Sequence, residues 1–315
     1  MIPTKETGVL TVAAIRKPKG GGPLEYLFNE RQQIFTLPVA ARAAEASSAR
    51  LKASFRENAP VKALLNPRQS LIQKIDVPSP QEMDEFKRLR IPLDKPEKVM
   101  PIEVAAIDPN TFDIVDQYLK SPIFRLCTRV VPDYKTAKKL FDFCAKQSCH
   151  LPGPYDISPC IPFQYVRDGC YARAHKMRWI ITTEFRYCCE KVFSFANQDF
   201  DRLTVKADKW GGCCISWWYH VAPLIRVKYR LGTLRPTLAM VIDPGMFDKP
   251  VRLSTWLAAQ ENKGCDPNAK VSMYSIQPGT AYAPANYAGT AFMTDPSYTS
   301  TDATLTAYHS LTTCL

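Results

Sequence analysis

The apolar positions along the chain change rhythm several times, and each change predicts an element. Residues 39–57 (VAARAAEASSARLKASFRE) are alanine-rich helix formers. VKALL and LIQKIDV then alternate apolar and polar residues on either side of NPRQS, the pattern of two half-buried strands in a hairpin. Ser79, Pro80 and Glu82 supply an N-cap, a proline at the first helical position and a glutamate at the third, so a helix starts there. After a proline-punctuated extended connector over 91–110, TFDIVDQYLK predicts a short helix. Over 135–148, Ala137, Leu140, Phe141 and Cys144 fall on one helical face. Asp168-Gly169 is turn chemistry ahead of YARAHKMRWIIT, which predicts a helix with Cys170 in its first turn. Three strand-like runs follow, EKVFSFAN, CCISWWYHVAPLIRVKYR and TLAMVIDP, the last two joined by a turn at LGTLRP. The flanks read differently. About the first 20 residues, ending KPKGGGP, read as mobile, and the tail from Tyr274 as irregular structure tied down by Cys265 and Cys314. The sum is an α+β fold, an antiparallel sheet flanked by helices, preceded by a small helix-and-hairpin part.

Cysteine usage divides the 315-residue chain. All eleven cysteines lie at or after Cys127. Cysteine-dense globular segments point to disulfides and an oxidising compartment, and the odd count fits five bridges plus one free thiol. Cys149 with Cys160 is a plausible local bridge, and Cys189, Cys213, Cys214, Cys265 and Cys314 are further candidates. No metal site is expected: C-x2-C pairs are absent, and the vicinal pairs Cys188-Cys189 and Cys213-Cys214 are poorly placed to serve one tetrahedral zinc. The net charge of +11 is spread over both halves with no nucleic-acid recognition motif, and no run approaches a membrane span. MIPTKETGVL lacks the layout of a signal peptide, so a secreted protein would have lost its signal from this chain.

A thiol in the first turn of a helix meets unpaired backbone N–H groups and the positive end of the helix dipole, both of which favour thiolate. That makes Cys170 a candidate nucleophile, which then needs a base and an acceptor to orient the base. Four histidines are available. His175 lies five residues on, about 140° around an ideal helix, and should face away as a surface or supporting histidine. His150 in a Pro/Gly loop and His309 near the C-terminus read as solvent histidines. His220 follows SWWY inside an apolar strand, where a polar ring must be hydrogen-bonded or put to work. Asp243 ends the apolar run TLAMVID, which would pair with the His220 strand, so its carboxylate is placed to fix the imidazole tautomer. An ordinary hydrogen-bonded core histidine and a plain turn aspartate remain the alternatives for these two. Thiol on a helix, imidazole on one strand and carboxylate on the next make a papain- or transglutaminase-like arrangement.

DGCYARAHKMR closely resembles the nucleophile segment of the bacterial protein glutaminases, and VVPDYKTAKKLFDFCAKQSC, SPCIPFQYV, CCEKVFSFAN, CCISWWYHVA and VIDPGMF continue the resemblance in order over most of residues 126–250. Upstream, APVKALLNPRQSLIQKIDVPSPQEMDEFK resembles the propeptide of the same enzymes. The resemblance implies a secreted, cofactor-free amidohydrolase that converts glutamine in exposed sites of proteins or peptides to glutamate and ammonia. Cys170 would be the nucleophile, His220 the base and Asp243 the orienting carboxylate. Trp217, Tyr219 and Tyr171 are the substrate-contact candidates, whereas Trp218 and Cys188 depart from the family pattern. The chain would be a propeptide, 1–125, and a mature catalytic domain, 126–315, with processing by another protease at Arg125-Leu126. The resemblance also implies that a propeptide segment covers the cleft. We expect it at Leu37, Pro38, Val39 and Ala40, with a small apolar side chain in the glutamine site. A monomer is expected, with no membrane or nucleic-acid partner. Transglutaminase-type transfer to amines, a cysteine protease and a disulfide-stapled binding module are the rival readings.

Overall fold

In the computed structural model, which describes residues 5–18, 21–38, 42–94, 96, 100–101, 127–196, 201–229 and 236–314, the segment expected to be mobile instead begins a sheet. Strands β1 (Glu6–Leu10) and β2 (Val12–Arg16) precede β3 (Glu25–Phe28) and β4 (Arg31–Thr36). KPKGGGP belongs to the connection between the antiparallel pair β2 and β3, where Gly21 and Gly22 take positive φ values of 91° and 116° that favour glycine. Helix α1 (Arg42–Glu57) and the hairpin of β5 (Val61–Asn66) and β6 (Leu71–Asp76) form as the periodicity predicts. Helix α2 (Pro80–Leu89) begins with the expected reciprocal capping of Ser79 and Glu82. Two short strands follow, β7 (Ile91–Pro92) and β8 (Met100–Pro101). The helix expected at TFDIVDQYLK, the Arg125-Leu126 junction and most of the LGTLRP turn lie outside the described residues.

Downstream come β9 (Val130–Val131), α3 (Tyr134–Lys146), α4 (Cys170–Thr183), β10 (Glu190–Phe195), β11 (Leu203–Lys206), β12 (Cys214–Trp217), β13 (Tyr219–Lys228) and β14 (Thr237–Val241). Helix α3 buries Ala137, Leu140, Phe141 and Cys144, the stripe its spacing predicts. Next are β15 (Val251–Arg252), α5 (Leu253–Ala258), β16 (Met273–Gln277), β17 (Ala281–Pro284), β18 (Phe292–Thr294) and α6 (Thr299–Tyr308). The tail from Tyr274 is therefore regular structure over much of its length. Its Tyr/Ser/Thr/Ala-rich composition concealed strands whose pairing partners are distant in sequence.

An eight-stranded sheet runs β1-β5-β6-β4-β12-β11, with β2 and β3 added beside β4. A seven-stranded sheet runs β15-β14-β13-β10-β16-β8, with β9 parallel to β13. A third, small sheet is β17-β18-β7. The fold is mixed α+β, and each sheet contains at least one strand from before residue 102. The run CCISWWYHVAPLIRVKYR is two strands rather than one. It breaks at Trp218, where β12 leaves the first sheet and β13 enters the second, because the Trp218 backbone N–H donates to the Gln32 carbonyl of β4.

Four disulfides join Cys127–Cys188, Cys149–Cys160, Cys213–Cys314 and Cys214–Cys265. Cys144, Cys170 and Cys189 are free and buried, which corrects the expected five bridges and one thiol, and removes Cys189 from the bridge candidates. Neighbours in extended chain point opposite ways, so Cys188 reaches Cys127 while Cys189 turns inward to the Glu190 carbonyl. The same alternation sends Cys213 and Cys214 to different partners, so Cys314 and Cys265 are not paired with each other.

Candidate active site

Helix α4 starts at Cys170 because Gly169 adopts φ +80°, and a Cβ there would come within 2.9 Å of the Tyr308 ring. The helix is central rather than amphipathic, with ten of its fourteen residues buried, Arg173, His175 and Lys176 among them. Cys170 is 1% exposed. Burial pushes its thiol pKa up, and Asp168 and Asp243 add to that, against the opposing pull of Arg173 and a hydrogen bond with the Val221 backbone. Burial thus opposes the pull of the helix terminus on this thiol.

The Val221 contact brings the sulfur to the start of β13, beside His220. His220 Nε2 lies 2.9 Å from Asp243 Oδ2, and Trp256 Nε1 donates to the same oxygen at 3.0 Å. Burial alone would raise Asp243; these hydrogen bonds and the neighbouring positive charge outweigh it and hold the carboxyl below its ordinary value. The His220 ring stacks on Trp217 at 4.6 Å and on Trp256 at 5.3 Å, which fixes its plane. Its other nitrogen, Nδ1, is buried and has no hydrogen-bond partner among the described residues.

A third group enters from the N-terminal part. Gln32, on β4 and fully buried, has every polar atom engaged. Its side-chain Oε1 accepts the Cys170 backbone N–H at 3.1 Å, and Nε2 donates to the Val166 carbonyl at 3.0 Å. Its backbone N–H donates to Asp168 Oδ1 at 3.1 Å, and its carbonyl accepts from Trp218 at 3.1 Å. The carboxamide orientation is thus set from both ends, oxygen toward the helix N-terminus.

Arg31 anchors this strand. It ion-pairs with Glu6 and with Asp168 at 3.4 Å, and it donates to the Tyr171 hydroxyl at 2.7 Å. Tyr308 donates to Asp168 Oδ2 at 2.8 Å. Burial lifts the Asp168 carboxyl above its ordinary value against the pull of Arg31. The Trp218 indole donates to the carbonyls of Arg31 at 2.6 Å and Phe28 at 3.2 Å, which gives that residue a structural task.

Cys170, His220, Asp243, Trp217 and Tyr171 thus gather in one region, and Tyr219 is fully buried beside Trp218 with its hydroxyl unpartnered among the described residues. Of the segment expected over the cleft, Leu37 to Ala40, only the first two residues are among those described. Leu37 packs on the N-terminal part's own core and Pro38 is exposed, while Val39 and Ala40 lie outside the described residues. The side chain bonded to the Cys170 backbone is that of Gln32. His175 is buried rather than superficial, bonded to the Asp295 carbonyl at 3.1 Å and to Lys191 Nζ at 2.6 Å. Burial, and then the Lys191 charge, lower its pKa to about 2. His150 and His309 are exposed, as expected. Among the described residues no group of three His, Cys, Asp or Glu could hold a metal, and no helix is long and apolar enough to cross a membrane.

A family model described as glutaminase matches residues 137–260, a span that contains Cys170, His220 and Asp243. The crystal structure of protein-glutaminase is 34% identical over 59% of this chain and 92% of that chain, with a TM-score of 0.51. The chain belongs to the protein-glutaminase family. The crystal structure of pro-protein-glutaminase matches almost end to end, at 28% identity over 99% of this chain and 95% of that one, with a TM-score of 0.70. A mutant of pro-protein-glutaminase matches over 98% and 94% at the same identity and TM-score. No curated protein matches the chain.

Within this glutaminase-family chain, reading the residues in order missed Gln32, Arg31, Asp168 and Trp256. Asp168 stood in plain view in DGC but read as a turn-former. The tandem glutamines of RQQIF were the available signal for Gln32: two adjacent amides beside Ile34 and Phe35 in a strand-like run.

Proposed function

We propose that this protein hydrolyses the side-chain amide of glutamine in proteins or peptides through a Cys170 thioester, and that residues 1–125 are a propeptide that covers the site until a protease cuts near Arg125-Leu126. The observation that carries the reading is the glutamine carboxamide whose oxygen accepts the Cys170 backbone N–H, in a site that also holds the His220–Asp243 pair. A hydrolase acting on glutamine needs a donor aimed at the amide oxygen, where negative charge develops as the carbon becomes tetrahedral. The Cys170 N–H, backed by the helix terminus, is that donor.

The geometry supports the following steps. With Asp243 accepting from Nε2, the imidazole holds its free lone pair on Nδ1, the nitrogen available to take the Cys170 proton. The thiolate attacks the amide carbon, and the oxyanion forms against the Cys170 N–H. His220 returns the proton to the departing nitrogen, which leaves as ammonia, and a thioester remains. His220 then draws a proton from water, which attacks the thioester and releases glutamate with the thiol restored. Asp243, held by Trp256, keeps the imidazole in one tautomer throughout. Cys170 at a helix start, His220 on β13 and Asp243 just past the end of β14 support a papain- or transglutaminase-like core. Four disulfides in the last part of the chain support secretion into an oxidising compartment.

The test is ammonia release from a glutamine-containing protein by the cleaved chain, with no amine added and the product mapped. The proposal expects glutamate at former glutamine positions with the peptide backbone intact. Ammonia that appears only with an added amine would establish acyl transfer instead, cut peptide bonds a protease, and no reaction at all a binding role.

A further inference from the structure

We propose that the first substrate of this protein is its own Gln32: in the intact chain Cys170 deamidates Gln32 to glutamate, and the conversion loosens the N-terminal part from the site. The inference rests on the thioester reading above and adds a substrate to it. An inert plug would need only to fill the space, whereas Gln32 presents the reactive group itself, oriented from both ends by Cys170 N–H and Val166 O. Gln33, its neighbour, points elsewhere and bonds to the Pro67 carbonyl at 2.6 Å and Ser70 Oγ at 2.8 Å. Only one of the two amides is therefore held at the Cys170 backbone N–H.

The chemistry balances without any outside oxidant or reductant. The Cys170 thiolate bonds to Gln32 Cδ, the Cδ–Nε2 bond breaks, and Nε2 departs as ammonia carrying the proton first taken from the thiol. One water then cleaves the thioester, leaving a carboxylate at position 32 and a thiol at Cys170. The product fits worse than the substrate. Where Nε2 donated to the Val166 carbonyl, a carboxylate oxygen now faces another acceptor. The new charge is also buried with Asp168, whose Oδ1 already accepts from the Gln32 backbone. Deamidation thus replaces a satisfied contact with a repulsive one at the point where the N-terminal strand enters the site.

The full chain, with Cys170→Ala and Cys170→Ser variants, is purified, denatured in acid, digested and mapped over residues 31–36. Cleaved wild type is assayed in parallel for ammonia release from a separate glutamine-containing protein. Expected is glutamate at position 32 and glutamine at 33 in the wild type, with glutamine at both positions in both variants. In addition, in a His220→Ala background, which keeps Cys170 but cannot turn Gln32 over, Gln32→Glu in the uncleaved chain should make Cys170 react about tenfold or more faster with an alkylating reagent, the change expected when a buried acceptor loses its hydrogen-bond donor. Unchanged Gln32 in a wild type whose cleaved form deamidates the external protein overturns the inference and leaves the general function standing. Glutamate at 32 in the variants too, or a residue-32 side chain still bonded to Cys170 sulfur, also overturns it. If neither Gln32 nor the external protein reacts, the thioester reading falls first and this inference with it.

Discussion

The two ends of the chain are held together by different physics. From Cys127 onward, four disulfides fasten the loops. One apolar core there, including Val192, Leu203, Trp217, Leu224 and Trp256, draws only on residues after 165. Before residue 102 there is no cysteine, yet Leu10, Tyr26, Phe28, Phe35, Leu51, Val61, Ile72 and neighbours form a core of their own. Between the two, the strand ladders are short: β4 meets β12 at Gln33–Trp217 alone, and β7 and β8 each pair two residues with β18 and β16. Polar contacts supply much of the remaining hold, among them Arg31 on Asp168, Arg16 on the Ala196 carbonyl at 3.0 Å and Asn29 on the Ala285 carbonyl at 3.0 Å. Some apolar contact adds to it, since Ala13, Ala14, Leu27 and Ile34 join the large core around α3 and α4. Each part thus has a core of its own, joined to the other by short ladders, polar contacts and a few apolar side chains, and under the proposed reading the N-terminal part separates as a folded unit.

On that division, the chemistry belongs wholly to the stapled part. Cys170→Ala in the cleaved chain should lower ammonia release by about 10⁴-fold or more, as losing a nucleophile does. Asp243→Asn should keep the fold and cost about 10²- to 10⁴-fold in kcat by freeing the imidazole tautomer, and initial rates on one glutamine protein would read both. Activity that survives either change would break the comparison at its strongest point.

The hold of the cover gives the next effect. Arg31→Met leaves Asp168 buried without its cation, so the cleaved N-terminal part should bind about 2–4 kcal/mol more weakly, read as its dissociation constant from the stapled part. Of similar or smaller size is the loss of a staple. Opening Cys214–Cys265 with Cys214→Ser and Cys265→Ser together should cost about 2–4 kcal/mol in denaturant unfolding of the isolated catalytic part, and nothing in the isolated N-terminal part.

The pattern of apolar and polar positions revealed the elements whose partners are close in sequence. The β5–β6 hairpin, the Ser79 cap and the α3 stripe needed only local rules. Cys170, His220 and Asp243 could be singled out because each is a chemically unusual residue in its local setting. The break at Trp218 and the contact of Gln32 with Cys170 were hidden for a common reason: both depend on β4, a strand far upstream that meets them only in the folded chain. The same long-range pairing hid β17 and β18 in a tail whose composition resembles loop. The free state of Cys189 was unreadable because an odd count says only that an odd number of thiols remains, not how many or which ones.

The smallest effect concerns His175, buried on the helix that Cys170 opens. Its folded pKa of about 2 lies below the ordinary value of 6.5, so the folded state favours the neutral ring. The stability this contributes is complete above pH 6.5 and declines as pH falls from there toward 2. Between pH 6 and 4 the slope from this group approaches about 1.4 kcal/mol per pH unit. His175→Gln should flatten that part of the stability profile of the catalytic part and leave the N-terminal part unmoved.

The most direct measurement is the initial rate of ammonia release from a glutamine-containing protein, without added amine, by the intact chain and by the chain cut within residues 102–126, each as wild type and as Cys170→Ala. A rate that rises sharply on cutting in the wild type and stays at background in the variant is the predicted result. Equal rates before and after cutting, or release that persists without Cys170, would contradict a covered cysteine deamidase.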